Sequence, residues 1–303
     1  MSSSPDFSYE FEPRHGEAVE VAPNVARVTV NNPGPFTFHG TNSYIVGSKS
    51  LAVIDPGPDD DAHFDALMRA IAGRPVSHIM ISHTHVDHSP LAARLKQATG
   101  APTAAEGPHR PARPLHVGEV NPLDASGDTG FVPDIVLADG ALTEGDGWAL
   151  RTVHTPGHTT NHVVFGLEGT GVLFSADHVM AWSTSIVAPP DGAMADYMGS
   201  LDRMLERQDR IYFPGHGGPV KEPTAFVRAL KTHRKMRERA ILERVKSGDR
   251  TIADMVKAIY RDTDPRLHGA AALSVLAQLE DLVGRGLVLT DGPAAIDGIY
   301  VPA

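Results

Sequence analysis

The chain has 303 residues, 41% hydrophobic and 21% charged, enough apolar content to bury the core of one large domain or of a large and a small one. A net charge of −10 argues against a protein that coats nucleic acid through its overall field, and the absence of cysteine excludes disulfides and thiolate metal sites. Neither a basic-then-apolar leader nor an apolar run of about 18 residues is visible, so a cytoplasmic protein that does not enter membranes is expected.

In chain order, short apolar runs at 25–30, 43–47, 51–57 and 77–82 end in turn residues and predict strands. Residues 59–73 predict a helix with acidic residues in its first turn and Gly73 near its end. Residues 89–100 predict another, with Ser89 as N-cap, Pro90 as first helical residue and Gly100 as stop. Further strands are expected at 148–155, 163–167, 171–177 and 210–215. Between the last two, Met198, Leu201 and Leu205 recur at helical spacing within 195–207.

The composition changes near Lys221. Residues 221–246 carry nine Lys or Arg against three Glu, a helix of net +6 in an acidic chain. Helical runs at 251–262 and 269–288 follow, then an apolar tail with hairpin character, which suggests a small winged-helix module. The expected organisation is a catalytic unit over 1–220, a basic linker helix over 221–248 and a winged-helix-like unit over 249–303.

Chemistry concentrates in "HIMISHTHVDHSP". His83, His85, Asp87 and His88 crowd into six positions straight after an apolar strand. Capping accounts for Ser89 and Asp87 but not for three of the chain's 16 histidines. Neutral imidazole and carboxylate are the ligand set for zinc or a similar divalent ion. Three later residues, His158, Asp177 and His216, also stand just past strand ends, where α/β proteins gather their sites.

In that order these residues resemble the metallo-β-lactamase superfamily of hydrolases. The H-x-H-x-D-H signature stands as His83, His85, Asp87 and His88, and the remaining motif positions as His158, Asp177 and His216. The "VIDPG" turn holding Asp55 also matches. The resemblance covers about 20–220 and implies an α/β fold, an αββα sandwich with metals at one edge. It implies two divalent metal ions, zinc being expected: His83, His85 and His158 on one, Asp87, His88 and His216 on the other, Asp177 bridging. A metal-bridging hydroxide would then cleave an ester-like bond, with Asp87 as the catalytic carboxylate that orients it and returns a proton.

Absences narrow the branch. Lactamases with a cysteine ligand are excluded, and the all-histidine ones lack the bridging residue present here as Asp177. Di-iron flavoproteins carry Glu where His85 stands. The set is similar to that of zinc hydrolases: thioesterases, lactonases and RNA-cleaving members. The stretch "NNPGPFTFHGTNSYIVG" and the helical extension are most similar to the β-lactamase-like protein 2 group, whose animal members are single-strand endoribonucleases. In that loop Phe36 and Phe38 would form an apolar flap over the metals, with Thr41 and Asn42 touching substrate.

The leading expectation is a hydrolase of a small ester-like substrate: a carboxylic ester, thioester, lactone or phosphodiester. A single-strand endoribonuclease would need a basic track from the metals to Arg228–Arg244. A nucleic-acid-binding or scaffold protein with a structural metal site is the alternative from another class. The sequence names neither the substrate nor the oligomeric state.

Overall fold

The strand-length apolar runs stack as two sheets face to face in the computed structural model, which describes residues 5–116, 119, 126–261 and 263–303. The first sheet runs in chain order: β1 (Ala18–Ala22), β2 (Val25–Thr29), β3 (Asn42–Val46), β4 (Leu51–Ile54), β5 (Val76–Met80), β6 (Thr103–Ala105) and β7 (Ile135–Val136). It is antiparallel to β4 and parallel beyond, because α1 (Asp61–Ile71) and α2 (Leu91–Thr99) provide the crossovers. The second sheet holds β8 (Leu142–Gly145), β9 (Trp148–His154), β10 (Val163–Leu167), β11 (Val172–Ala176) and β12 (Ile211–Pro214). Its one parallel pair, β11 with β12, is connected through α3 (Met194–Leu205).

Side-chain alternation makes the layers. In β4, Ala52 and Ile54 face the core between the sheets, with Phe165, Phe174 and Phe213, while Leu51 and Val53 face α1 and α2. In β11, Phe174 joins the intersheet core and Leu173 packs under α3. The result is the expected αββα sandwich.

Helix starts follow local chemistry only in part. Asp60 caps α1 by accepting from the His63 amide at 2.7 Å. Ser89 does not cap α2: Pro90 holds the cap position, and the Ser89 hydroxyl donates to Asp128 at 2.7 Å. The reason is the preceding turn, in which the amides of His88 and Ser89 both reach the His85 carbonyl. That turn claims Ser89 for the His83–His88 loop before the helix begins.

The basic segment is α4 (Pro223–Lys246), opening on a proline as helices tolerate. Its first half buries Val227 and Leu230 under α3, and its last turns bury Ile241 and Val245 in a separate C-terminal core. That core adds α5 (Ile252–Ile259), α6 (His268–Gly284) and the antiparallel pair β13 (Val288–Thr290) and β14 (Tyr300–Pro302). Among the described residues no helix is long and apolar enough to cross a membrane.

Candidate metal centre

Strand ends of both sheets meet at one edge. His83 follows β5, Asp177 follows β11 and His216 follows β12. His158 stands in the turn between β9 and β10. That turn needs Gly157, at φ +135°, because a Cβ there would lie 2.3 Å from the Tyr197 Cα of α3.

The seven residues converge. His83 Nε2 and His158 Nε2 each lie 3.1 Å from His85 Nδ1. His216 Nε2 is 3.3 Å from both Asp87 Oδ2 and Asp177 Oδ2, and His88 Nε2 is 3.5 Å from Asp87 Oδ2 and Asp177 Oδ1. Three overlapping sets could each hold an ion: His83, His85 and His158; His83, His88 and Asp177; Asp87, His88 and His216.

The donor chemistry fits cations. An imidazole nitrogen offers one N–H or one in-plane lone pair, so His85 Nδ1 satisfies only one of the two nitrogens against it. His85 Nε2, His88 Nε2 and Asp177 Oδ1 are buried with no hydrogen-bond partner among the described residues. Cations held here would complete His85 Nδ1, His88 Nε2 and Asp177 Oδ1, whereas His85 Nε2, on the other edge of its ring, would still need another partner.

The outward nitrogens are held, which aims the inward ones. His88 Nδ1 meets Asp55 Oδ2 at 3.1 Å, His158 Nδ1 donates to the Ile186 carbonyl at 2.6 Å, and His216 Nδ1 reaches the Gly40 carbonyl at 3.3 Å. The Asp55 carboxylate also accepts from the Ser82 amide at 2.7 Å and hydroxyl at 2.6 Å.

Electrostatics divide the cluster. Burial, then His158, pushes His85 down to about 3, and burial, then His88, holds His83 well below the ordinary range. Burial also opposes a proton on His88, yet Asp87, Asp177 and Asp55 outweigh it and raise this group to about 9. His216 is likewise raised against burial by Asp177 and Asp87.

The expected substrate contacts lie elsewhere. Asn42 is buried and spends its amide on the Pro214 and Gly217 carbonyls at 3.1 and 3.0 Å, tying β3 to the His216 turn. Thr41 is also buried, with its hydroxyl 3.3 Å from Asp87 Oδ2, behind the carboxylate. Phe38, at φ +56°, stacks on Trp182 with ring centroids 4.9 Å apart and does not line the cavity. Its neighbour Phe36, 53% exposed, does.

That cavity, of about 620 Å³, opens on His85, Asp87, His158, Asp177 and His216. Its walls come from the 180–186 segment, and its far end from α4 and α6. Sequence reading missed the 180–186 segment and α6, and raised the basic 221–246 helix only as a candidate track for nucleic acid. Trp182 and Ile186 stand in an irregular stretch with no period, and α4 and α6 reach the site only through tertiary packing.

Residues 36–216 match the Metallo-beta-lactamase superfamily, and residues 251–294 match the Beta-lactamase associated winged helix domain. The chain belongs to the metallo-beta-lactamase superfamily and is a hydrolase with the divalent-metal fold of that class. It is similar to the Beta-lactamase-like protein 2 homolog of Drosophila melanogaster, 30% identical over 276 residues, covering 87% of this chain and 89% of that one. It is also similar to an atrochrysone carboxyl ACP thioesterase of Paecilomyces divaricatus, 29% identical over 78% of this chain and 70% of that one. A solved beta-lactamase domain protein from Burkholderia ambifaria shares the fold with a TM-score of 0.80 at 22% identity, over 99% of this chain and 97% of that one. A metallo-beta-lactamase family protein from Thermus thermophilus does so at 0.73 and 24% identity, over 94% of this chain and all of the other.

Proposed function

We propose that the protein is a binuclear zinc hydrolase of acyl esters, with thioesters as the leading substrate class. The observation that carries this is the cavity wall. Between the metal cluster and α4 it is chiefly apolar, formed by Phe36, Met180, Trp182 and Ile186. A phosphodiester chain would ask for a continuous basic track, yet the cavity's Lys and Arg lining is confined to Arg234 and Arg237 at its far end, and Lys231, Lys235 and Arg239 open on a different recess. The similarity to an ACP thioesterase supports the same reading.

In this reading His83, His85 and His158 hold one cation, Asp87, His88 and His216 the second, and Asp177 is shared. Bound there, two divalent cations supply an activated water at neutral pH and polarise the oxygen of the attacked group. Asp87 is the site carboxylate most open to the cavity, its side chain 23% exposed. It orients the attacking water and returns a proton to the leaving group. Phe36 and Trp182 cover the acyl chain and exclude bulk water. Residues 1–220 act as the catalytic unit, 221–248 as the linker helix, and 249–303 close the far wall.

The test is a parallel screen of zinc-loaded protein against a thioester, a carboxylic ester, a lactone, a phosphodiester, single-stranded RNA and a β-lactam. Thioester turnover that disappears in Asp87→Asn is expected. RNA cleavage without ester turnover would make the protein an endoribonuclease. Inertness toward every substrate, at full metal occupancy, would leave a binding or scaffold role.

A further inference from the structure

We propose that the α4 end of the cavity is a subsite for an oxyanion, carboxylate or phosphate, borne by the substrate far from the bond that is cut. The inference deepens the hydrolase reading and rests on it for the word substrate. His233, Arg234 and Arg237 lie along one side of α4 and line the cavity whose opposite end carries His85, Asp87 and His216.

Arg234 is only 5% exposed. Its Nη2 donates to the Ser185 carbonyl and its guanidinium lies 5.1 Å from the Tyr197 ring centre, but its Nε is buried without a partner among the described residues. Arg237 stacks 4.7 Å over the Tyr260 ring and donates from Nη1 to the Ile259 carbonyl at 3.3 Å. Neither guanidinium pairs with a carboxylate among the described residues. Elsewhere on α4, Lys231 pairs with Asp202 and Arg244 with Asp249, and the other cations unpaired among the described residues, Arg228, Lys235, Arg239 and Lys246, do not line this cavity. The acidic residues lining the cavity, Asp87 and Asp177, belong to the metal end.

A guanidinium taken out of water is unfavourable unless an anion or a full set of acceptors completes it. Arg234 is such a group, and the half-buried Arg237, also without a carboxylate partner among the described residues, faces the same cavity. Stacking on Tyr260 holds the Arg237 fork flat, the form that grips a carboxylate or phosphate through two N–H groups. Burial, with Arg237 and Arg234 close by, keeps His233 down to about 4, so its unpartnered Nδ1 adds a neutral polar contact rather than a third charge. The intervening wall of Met180, Trp182 and Ile186 is mostly apolar. The ligand this selects is an acyl group, apolar along its length, with an oxyanion at its far end.

The experiment uses the full zinc-loaded chain and three thioesters of one chain length, ending in carboxylate, phosphate or methyl. At least one charged substrate should exceed the methyl one in kcat/KM by about tenfold or more, and Arg237→Gln should cut that ratio about tenfold, chiefly through KM. Arg237→Lys should restore part of it. The larger ratio identifies the oxyanion. Titration calorimetry of the matching free carboxylate, phosphate and methyl-capped acids onto metal-free protein reads the subsite without turnover. A ratio near one in the wild type, or one that Arg237→Gln leaves unmoved, overturns the subsite and leaves the hydrolase standing. Binding of the charged ligand that depends on Arg237, with no thioester turned over, keeps the subsite and overturns the hydrolase. Neither turnover nor binding overturns both.

Discussion

His88 Nδ1 and Asp55 Oδ2 meet at 3.1 Å across 33 residues of chain, with neither side chain more than 3% exposed. The parallel pairing of β4 and β5, which sets Ile54 beside Met80, brings the two strand ends to one level. Asp55 sits at φ +48°, and the Ser82 amide and hydroxyl hold its two oxygens. A carboxylate only accepts here, so His88 carries its proton on Nδ1 and presents Nε2 to the metal centre.

Asp55→Asn reverses that arrangement. The Ser82 amide keeps the amide oxygen on its side, which turns an NH₂ toward His88 Nδ1 and drives the proton to Nε2. Zinc affinity should fall about 10–100-fold while the fold survives. Competition against a chelator measures it, and an unchanged affinity would mean that Asp55 does not govern His88.

Metal uptake should expel protons. With His88 raised to about 9 and His216 raised well above its ordinary range, both are protonated in the metal-free protein at pH 7. Each must give up its inward proton to bind an ion. Zinc added to weakly buffered apoprotein should therefore acidify it, and acid should weaken binding. The same shift fixes a stability trend. A folded pKa above the unfolded value of about 6.5 adds stability that is complete below about 6.5 and fades as pH climbs through 9. The melting temperature of metal-free protein should drop over that interval, and that of zinc-loaded protein should not.

Eight of the twelve sandwich strands, the helices and the convergence of seven candidate ligands were legible because each rests on a local signal: period, turn residues, or a residue type just past a strand; β1, β6, β7 and β8 were not foreseen. The internal partners of Asn42, Thr41 and Phe38 were illegible for the opposite reason. A polar residue beside a predicted flap looks available, and nothing local announces that the Pro214 and Gly217 carbonyls, more than 170 residues on, will consume it. Arg234 and Arg237 were illegible in the same way, hidden in a helix that reads as evenly basic.

Asn42 now carries a prediction opposite to a substrate contact. Its amide donates to two carbonyls and its oxygen accepts from the Thr29 hydroxyl at 2.9 Å, all in the interior. Asn42→Ala strands these groups and should cost about 2–4 kcal/mol of stability. Denaturant midpoints read this directly. KM for the protein that remains folded should hardly move; a raised KM at full stability would return Asn42 to the substrate site.

Gly215 tests whether the metal centre tolerates a single added methyl. A Cβ there would stand 2.5 Å from Asp177 Oδ1 and 2.7 Å from His88 Cε1, closer than the 3.0 Å that real Cβ atoms keep. Either neighbour can retreat only by giving up a contact of the site, since Asp55 anchors His88 and His216 faces Asp177 at 3.3 Å. The backbone is held as well: the Gly215 amide donates to the Ala176 carbonyl at 2.9 Å and its carbonyl accepts from the Asn42 amide at 2.7 Å. The methyl must therefore displace Asp177 or His88, two side chains of one candidate cation site. Gly215→Ala should reduce bound zinc from two ions per chain to one or none, as elemental analysis would read, with far-ultraviolet dichroism unchanged. Gly199→Ala, on the exposed face of α3 where a Cβ meets nothing within 4 Å, should keep both ions and gain about 0.5–1 kcal/mol of stability. If both variants keep both ions, the close approach of Gly215 does not shape the site.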